Sequence, residues 1–466
     1  MKIVQQRNKS LDALRGMAIL AMVLSSSIAF GILPEWMYHA QEPPPFHAFN
    51  PQLPGITWVD LVFPFFLFSM GAAIPLALNK KLKEGASFLS ILSIAGRRYL
   101  LLVFFALFTM HIRSVVQGVE PQSSKQLLPL LGFVLLFFQL YKPAGDKKAT
   151  LFSTLKIIAY AGSVALLFVL PYKDGQQFSL YNSDIIIIVL ANMALFGTIV
   201  WWLTRNNLLL RLGILPFVMA ILLTSKEAGS WNEGLFNWTS AAWMYKFYYL
   251  KYLFIIVPGT IAGEWLLQDG IQSSENTKQE KGNALVALGC FLIILSNVIL
   301  LFARYTALNL FITVTLCVCI YLILSRRERE NKLTDRFFKA GAYLLLLGLF
   351  FEAFEGGIKK DPSTFSYYFV TGGLAFLLLI ILNVLQHVKA GTVIINYFST
   401  NGKNPMVAYV AGNLVLLPLL KFSGAVKIYS AMQQSQFSGF LSGVLFTALV
   451  SVITIFFTKR GWFWKT

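Results

Sequence analysis

Apolar runs of about 16 to 22 residues recur from one end of the chain to the other, separated by short polar segments. That is the length a helix needs to cross a ~30 Å hydrocarbon core. The pattern predicts about fourteen spans, at 12–30, 57–78, 96–112, 127–141, 151–170, 184–203, 208–224, 248–267, 284–303, 307–324, 338–355, 366–385, 404–420 and 439–458. The expected fold class is therefore all-α, a polytopic membrane protein in which residues 1–466 form one transmembrane domain. The fourth run is short, as a tilted or re-entrant helix would be.

The polar segments differ in character. Residues 31–56 are rich in Pro, His and aromatics and contain no Lys or Arg, while 225–246 carries Trp231, Trp238 and Trp243, as an interfacial aromatic belt would. The segments 268–282 and 325–336 are highly charged and read as solvated connectors. No internal repeat is evident, which disfavours an inverted-repeat transporter.

Composition sharpens this picture: 56% of residues are apolar and only 13% charged, and the mean hydropathy is +0.65, values foreign to soluble domains. A net charge of +18 does not point to nucleic acid, because the basic residues fall at the ends of apolar runs instead of along one polar segment. Most of the 39 lie in alternate connections, so the positive-inside rule predicts that the N-terminus, the 325–336 loop and the C-terminus are cytoplasmic. The expected location is a bacterial inner membrane. The first run lacks a small-residue cleavage site and is expected to remain a helix. Cys290, Cys317 and Cys319 lie inside apolar runs, with the spacing of neither a disulfide framework nor a zinc site, and read as packing residues. No metal is expected.

Few residues remain for chemistry. Two of four histidines, His39 and His47, share the 31–56 loop, where an imidazole near its reference pKa can exchange a proton or act as nucleophile; the plainer alternative is a loop histidine without catalytic contacts. His111 and His387 sit at span ends. Asp60 opens the second span, where a carboxylate requires a partner. It fits an N-cap that satisfies free N–H groups and, equally, a group that orients His47. Pro64 leaves a gap in the backbone ladder of that span and a kink there would open a cavity beneath the loop. On the opposite side, Asp12 and Arg15 have the spacing of a pair on one helical face. Arg15 with Arg97 and Arg98 alternatively forms a phosphate site. The G-K-N-P turn at 402–405 introduces the thirteenth span. Glu264, Glu352, Glu355, Lys359 and Lys360 are further charges near the membrane, expected to snorkel or pair.

Taken in order, S-L-D-A-L-R-G (10–16), F-H-A (46–48), D-L-V-F-P-F-F-L-F (60–68), K-D-P-S-T-F-S-Y (360–367), G-K-N-P-M-V-A-Y-V (402–410) and F-T-K-R-G-W-F-W-K (457–465) form a recognisable set. The chain resembles the heparan-alpha-glucosaminide N-acetyltransferase family of transmembrane acyltransferases, in particular its uncharacterised bacterial relatives. The resemblance implies an acyltransferase-like transmembrane domain that takes acetyl from acetyl-CoA on the cytoplasmic side and delivers it to an external acceptor, an amino sugar or glycan. It implies His47 as the catalytic histidine, with Asp60 orienting it and His39 in reserve. Arg15, Arg97, Arg98, Lys403 and Asn404 become the candidates for binding acetyl-CoA. The sequence departs from the family pattern where D-P-E-G is replaced by the 252–264 run, at Ser25, Ser26 and Ser27, and at Ser363. These departures bear on the acceptor site.

Other readings stay open: a non-enzymatic transporter or flippase for a glycan or lipid-linked sugar, and an assembly subunit without a substrate. Expected partners are membrane lipids and a carbohydrate acceptor, with no nucleic acid; a homo-oligomer is compatible with the pattern.

Overall fold

A computed structural model describes residues 8–118, 124–143, 149–170, 172, 177–272, 280–326 and 332–465. Among these the chain is helical, and its β content is one isolated bridge between Tyr141 and Trp464. In chain order the helices are α1 (Lys9–Ser25), α2 (Trp58–Lys83), α3 (Phe88–Gly118), α4 (Leu127–Leu140), α5 (Ala149–Val169), α6 (Ile185–Thr204), α7 (Leu208–Leu223), α8 (Trp231–Asn237) and α9 (Leu253–Gln272). They continue with α10 (Glu280–Phe302), α11 (Thr306–Ser325), α12 (Lys332–Phe354), α13 (Phe365–Leu385), α14 (Lys389–Gly402), α15 (Pro405–Ala411), α16 (Leu417–Phe422), α17 (Val426–Met432) and α18 (Gln436–Lys459).

Each of the fourteen expected spans falls on helix. Eleven helical stretches among the described residues are long and apolar enough to cross a membrane, and the chain is a multi-pass membrane protein. The other three expected spans are α1, α4 and α7, with 17, 14 and 16 residues. The expected span at 404–420 is interrupted: α15 and α16 are joined by a π-turn over Gly412–Leu416. Trp231 and Trp238 are exposed at 75% and 62%, as interfacial residues are.

The chain forms two compact units, each built from separated segments. The first comprises Met1–Ser25, Phe30–Glu84 and Tyr252–Gly402 and so holds α1, α2 and α9 to α14. Helices in a bilayer gain little from burying apolar surface against one another and associate where small residues let backbones approach. In this unit α1 crosses α14 at Gly16 and Gly402, where a Cβ on either glycine would overlap the facing backbone, the Phe398 carbonyl or the Asp12 carbonyl. A second such crossing joins α2 to α9 at Gly71 and Gly259. Arg15 reinforces the first: its guanidinium pairs with Asp12 at 3.2 Å and donates to the Gly402 carbonyl at 3.5 Å and the Ser69 carbonyl at 3.3 Å.

Helix α2 runs unbroken through Pro64. Lacking an N–H, Pro64 leaves the Asp60 carbonyl without its helical donor. The hydroxyl of Tyr367, on α13, donates to that carbonyl at 2.7 Å, and its side chain is only 1% exposed. The expected cavity beneath the loop is thus replaced at this point by a tyrosine that closes the gap.

The second unit comprises Ser26–Ala29, Gly85–Lys251 and Lys403–Thr466. Asp184 caps α6 by accepting from the Ile186 N–H at 3.1 Å and takes a 2.6 Å hydrogen bond from the Tyr409 hydroxyl on α15. Asn404 is fully buried, and both ends of its amide bond backbone: Nδ2 donates to the Trp462 carbonyl at 2.8 Å and Oδ1 accepts from the Trp464 N–H at 3.2 Å.

Candidate functional site

The chemically richest cluster of the first unit forms where the 31–56 loop meets the turn between α12 and α13. Its anchor is Asp60. Thr57 caps α2 and Asp60 stands at the third helical position, completing a capping box. Asp60 Oδ2 accepts from the Thr57 N–H at 2.9 Å, the Thr57 hydroxyl at 3.3 Å and the Ala40 N–H at 3.2 Å. The carboxylate is therefore both a helix cap and the point to which the loop is tied, and it is 2% exposed.

Its other oxygen, Oδ1, lies 2.8 Å from His39 Nδ1. A carboxylate only accepts, so Nδ1 carries the proton in this contact, and in the neutral ring Nε2 is the nitrogen with the lone pair. Lys360 Nζ stands 2.9 Å from Nδ1, 3.2 Å from Nε2 and 3.8 Å from Asp60 Oδ1. The carboxylate is enclosed, whereas the His39 and Lys360 side chains are 33% and 31% exposed, so the two basic groups can be reached from solvent. Burial pushes the Lys360 ammonium below the usual lysine range, although Asp60, Glu42 and Asp361 pull it the other way.

Two further groups hold this arrangement. The buried amide of Gln41 grips the Asp361 peptide at both ends: Nε2 donates to the Asp361 carbonyl, and Oε1 accepts from the Asp361 N–H at 2.8 Å. Glu355 caps α13, accepting from the N–H groups of Phe365 at 2.7 Å and Ser366 at 2.8 Å. Nearby, the half-buried Arg304 forms an ion pair with the buried Glu352. The Glu352 and Glu355 carboxylates are thus both engaged, one by Arg304 instead of the neighbouring lysines and one as a cap.

His47 is placed differently from the expectation. Its ring stacks on Phe30 with centroids 3.8 Å apart and meets Tyr38 edge-on at 4.5 Å. Nε2 is enclosed without a hydrogen-bond partner, and the backbone takes a left-handed φ of 49°. Asp60 orients His39, not His47. The loop turns so that His39, next to the Ala40 N–H that Asp60 also binds, faces the carboxylate, while His47 is packed between rings.

The cofactor candidates divide. Arg15 belongs to the first unit and is held by Asp12 and two carbonyls, the Asp12 pairing that the spacing suggested. Asn404, in the second unit, has its amide taken by the backbone of 462–464. Both are thereby explained as packing groups. In that same unit Arg97 is exposed, and Arg98 and Lys403 are half-buried.

A family model described as "Domain of unknown function (DUF5009)" matches residues 7–266, more than half of the chain. The chain belongs to this DUF5009 family. No curated protein matches it. The DUF5009 match includes His39, Gln41, His47 and Asp60, whereas Lys360 and Asp361 lie beyond it. Sequence reasoning named Lys360 only as a charge near the membrane and missed Gln41. The K-D-P motif was the available signal for the first; no local signal marks the second, because its partner lies 320 residues away.

Proposed function

We propose that the chain is a transmembrane acyltransferase that moves an acetyl group from acetyl-CoA at the cytoplasmic face to an acceptor on the opposite face, an amino sugar or other glycan. The observation that carries this reading is the Asp60–His39 hydrogen bond, with His39 Nε2 left as a base and an ammonium beside it. His39 takes the proton of the amine or hydroxyl as it bonds to the acetyl carbonyl carbon, the thioester C–S bond breaks and CoA leaves as a thiol with that proton. Asp60 meanwhile holds the imidazole in the required tautomer and offsets the charge it gains. When the substrate draws Lys360 away from Nε2, the ammonium meets the negative charge that develops on the acyl carbonyl oxygen. The likeness of the motif set to the heparan-alpha-glucosaminide N-acetyltransferase family supports the same chemistry.

Sidedness follows from the basic residues: N-terminus, 325–336 loop and C-terminus cytoplasmic, in a bacterial inner membrane, with His39 and Lys360 external. Two loops that touch must be separated by an even number of crossings, and the expected topology has that property for 31–56 and 356–364. Binding of the acetyl-CoA phosphates is assigned to Arg97, Arg98 and Lys403, since fixed cations suit phosphate. Arg15 and Asn404 are left out because their polar groups hold the fold.

The test is incubation of the purified full chain in detergent with acetyl-labelled acetyl-CoA and a panel of amino sugars. The expected result is label on an acceptor and release of CoA, both lost in His39→Ala. Absence of CoA release with every acceptor, from a folded and monodisperse wild type, overturns acyl transfer and favours a glycan transporter. Unchanged acetyl-CoA affinity in Arg97→Ala, Arg98→Ala and Lys403→Ala by calorimetry removes the assigned donor site.

A further inference from the structure

A second polar feature of the first unit lies at the ends of α9 and α12, apart from the residues discussed above. Trp265, Gln268, Asp269, Lys332, Leu333 and Arg336 line a cleft there. Lys332 and Arg336 are one helical turn apart on α12 and both exposed. Arg336 is held in place by a 2.8 Å hydrogen bond from Nη1 to Gln268 Oε1, which leaves its other N–H groups to the cleft. Asp335 does not neutralise the pair, since it binds Lys339 at 2.8 Å. Leu333 forms an apolar floor, and the Trp265 indole is fixed against Phe337 and Phe376, each ring 6.1 Å away.

Location and charge narrow the ligand. The apolar stretch that includes α9 ends at Asp269, and that of α12 begins at Lys332. The cleft therefore sits at the membrane boundary, the depth at which headgroups lie and at which tryptophan is favoured. Among the described residues it offers two cations and one carboxylate. A purely anionic group would bind the cations but face Asp269, whereas a group carrying both signs satisfies all three. We propose that this cleft binds the headgroup of a zwitterionic phospholipid, with its phosphate on Lys332 and Arg336 and its ammonium on Asp269. This rests on no assumption about acyl transfer.

Native mass spectrometry of the detergent-purified full chain, titrated with phosphatidylethanolamine or phosphatidylglycerol, reads the preference directly. Phosphatidylethanolamine is expected to bind the wild type more tightly. Each charge-assisted contact removed should cost roughly tenfold or more in affinity. Asp269→Asn should weaken phosphatidylethanolamine and strengthen phosphatidylglycerol, inverting the order, while Arg336→Ala weakens both. Lys332→Gln, at an exposed position, serves if Arg336→Ala fails to fold and should also weaken both lipids. Equal or tighter binding of phosphatidylglycerol by the wild type overturns the proposal, as does unchanged binding in Lys332→Gln. Displacement of the lipid by inorganic phosphate at equal concentration would also overturn it, and would mark a site for soluble phosphate.

Discussion

Two histidines of one loop have opposite surroundings. His39 has a buried carboxylate on Nδ1 and an ammonium at its edge, and a third of its side chain faces solvent. His47, nearer to Asp60 in sequence, lies between Phe30 and Tyr38 with Nε2 enclosed and its backbone in a left-handed conformation. An imidazole becomes a directed base when a fixed charge sets its tautomer. Nearness along the chain did not decide which one, because the carboxylate is fixed by the helix start and the loop path brings His39 to it.

Exchanging the two residues by mutation tests this contrast most severely. His39→Ala should cut acyl transfer by about 10²- to 10⁴-fold, the usual worth of a positioned general base, while His47→Ala stays within a few-fold of wild type in the same labelled-acetyl assay. The reverse ranking would break the comparison and restore His47 as the catalytic group. Asp60→Ala comes next, because it strands the N–H groups of Thr57 and Ala40 as well as freeing His39. A loss of roughly 1–3 kcal/mol is expected in denaturant unfolding, together with lowered turnover; Asp60→Asn should lower turnover by less than His39→Ala. A melting curve for Asp60→Ala that overlays wild type would mean that the loop is not tied there.

Gln41→Ala removes the two-sided grip on the Asp361 peptide and should cost about 1 kcal/mol, with a larger effect on turnover than any loop substitution near His47. Equal turnover in the two cases would show that Lys360 needs no such support. The smallest effect concerns pH. The folded chain gives up the Lys360 proton at a lower pH than the unfolded chain does, so stability should rise with pH through the interval below the ordinary lysine value. Lys360→Met should flatten that rise, seen as a smaller change in melting temperature between about pH 8 and pH 10. The partial exposure of this side chain keeps the effect modest.

The fold was legible because the spans declare themselves by length and apolarity, and even α4 and α7, short as they are, were visible as apolar runs. The interruption at Gly412–Leu416 was not, since an added residue in a helix leaves the apolar run unbroken. Of the site, Asp60 was readable: a carboxylate at the start of an apolar helix has to find partners. The Asp12–Arg15 pair was readable from spacing alone. His39 was named only in reserve, and Gln41 and Tyr367 were not marked at all, because each acts through a partner in another part of the chain; the Tyr367 hydroxyl lies 307 residues beyond the Asp60 carbonyl that it binds. Asn404 misled for a related reason. A polar residue in a motif reads as a ligand-binding group until its buried position and backbone partners are known.

The crossing of α1 with α14 sets a timetable for biogenesis. Arg15 and Gly402 meet across 387 residues of chain. At a synthesis rate of roughly 5–20 residues per second, the first helix emerges about 20 to 80 s before the fourteenth. Throughout that wait the groove around Gly16 is without the backbone that will fill it, and the guanidinium of Arg15 lacks one of its carbonyls. Of its partners, Asp12 within α1 itself and the Ser69 carbonyl on α2 are made long before α14. The last step in completing this unit is the late arrival of α14 on a helix made at the outset.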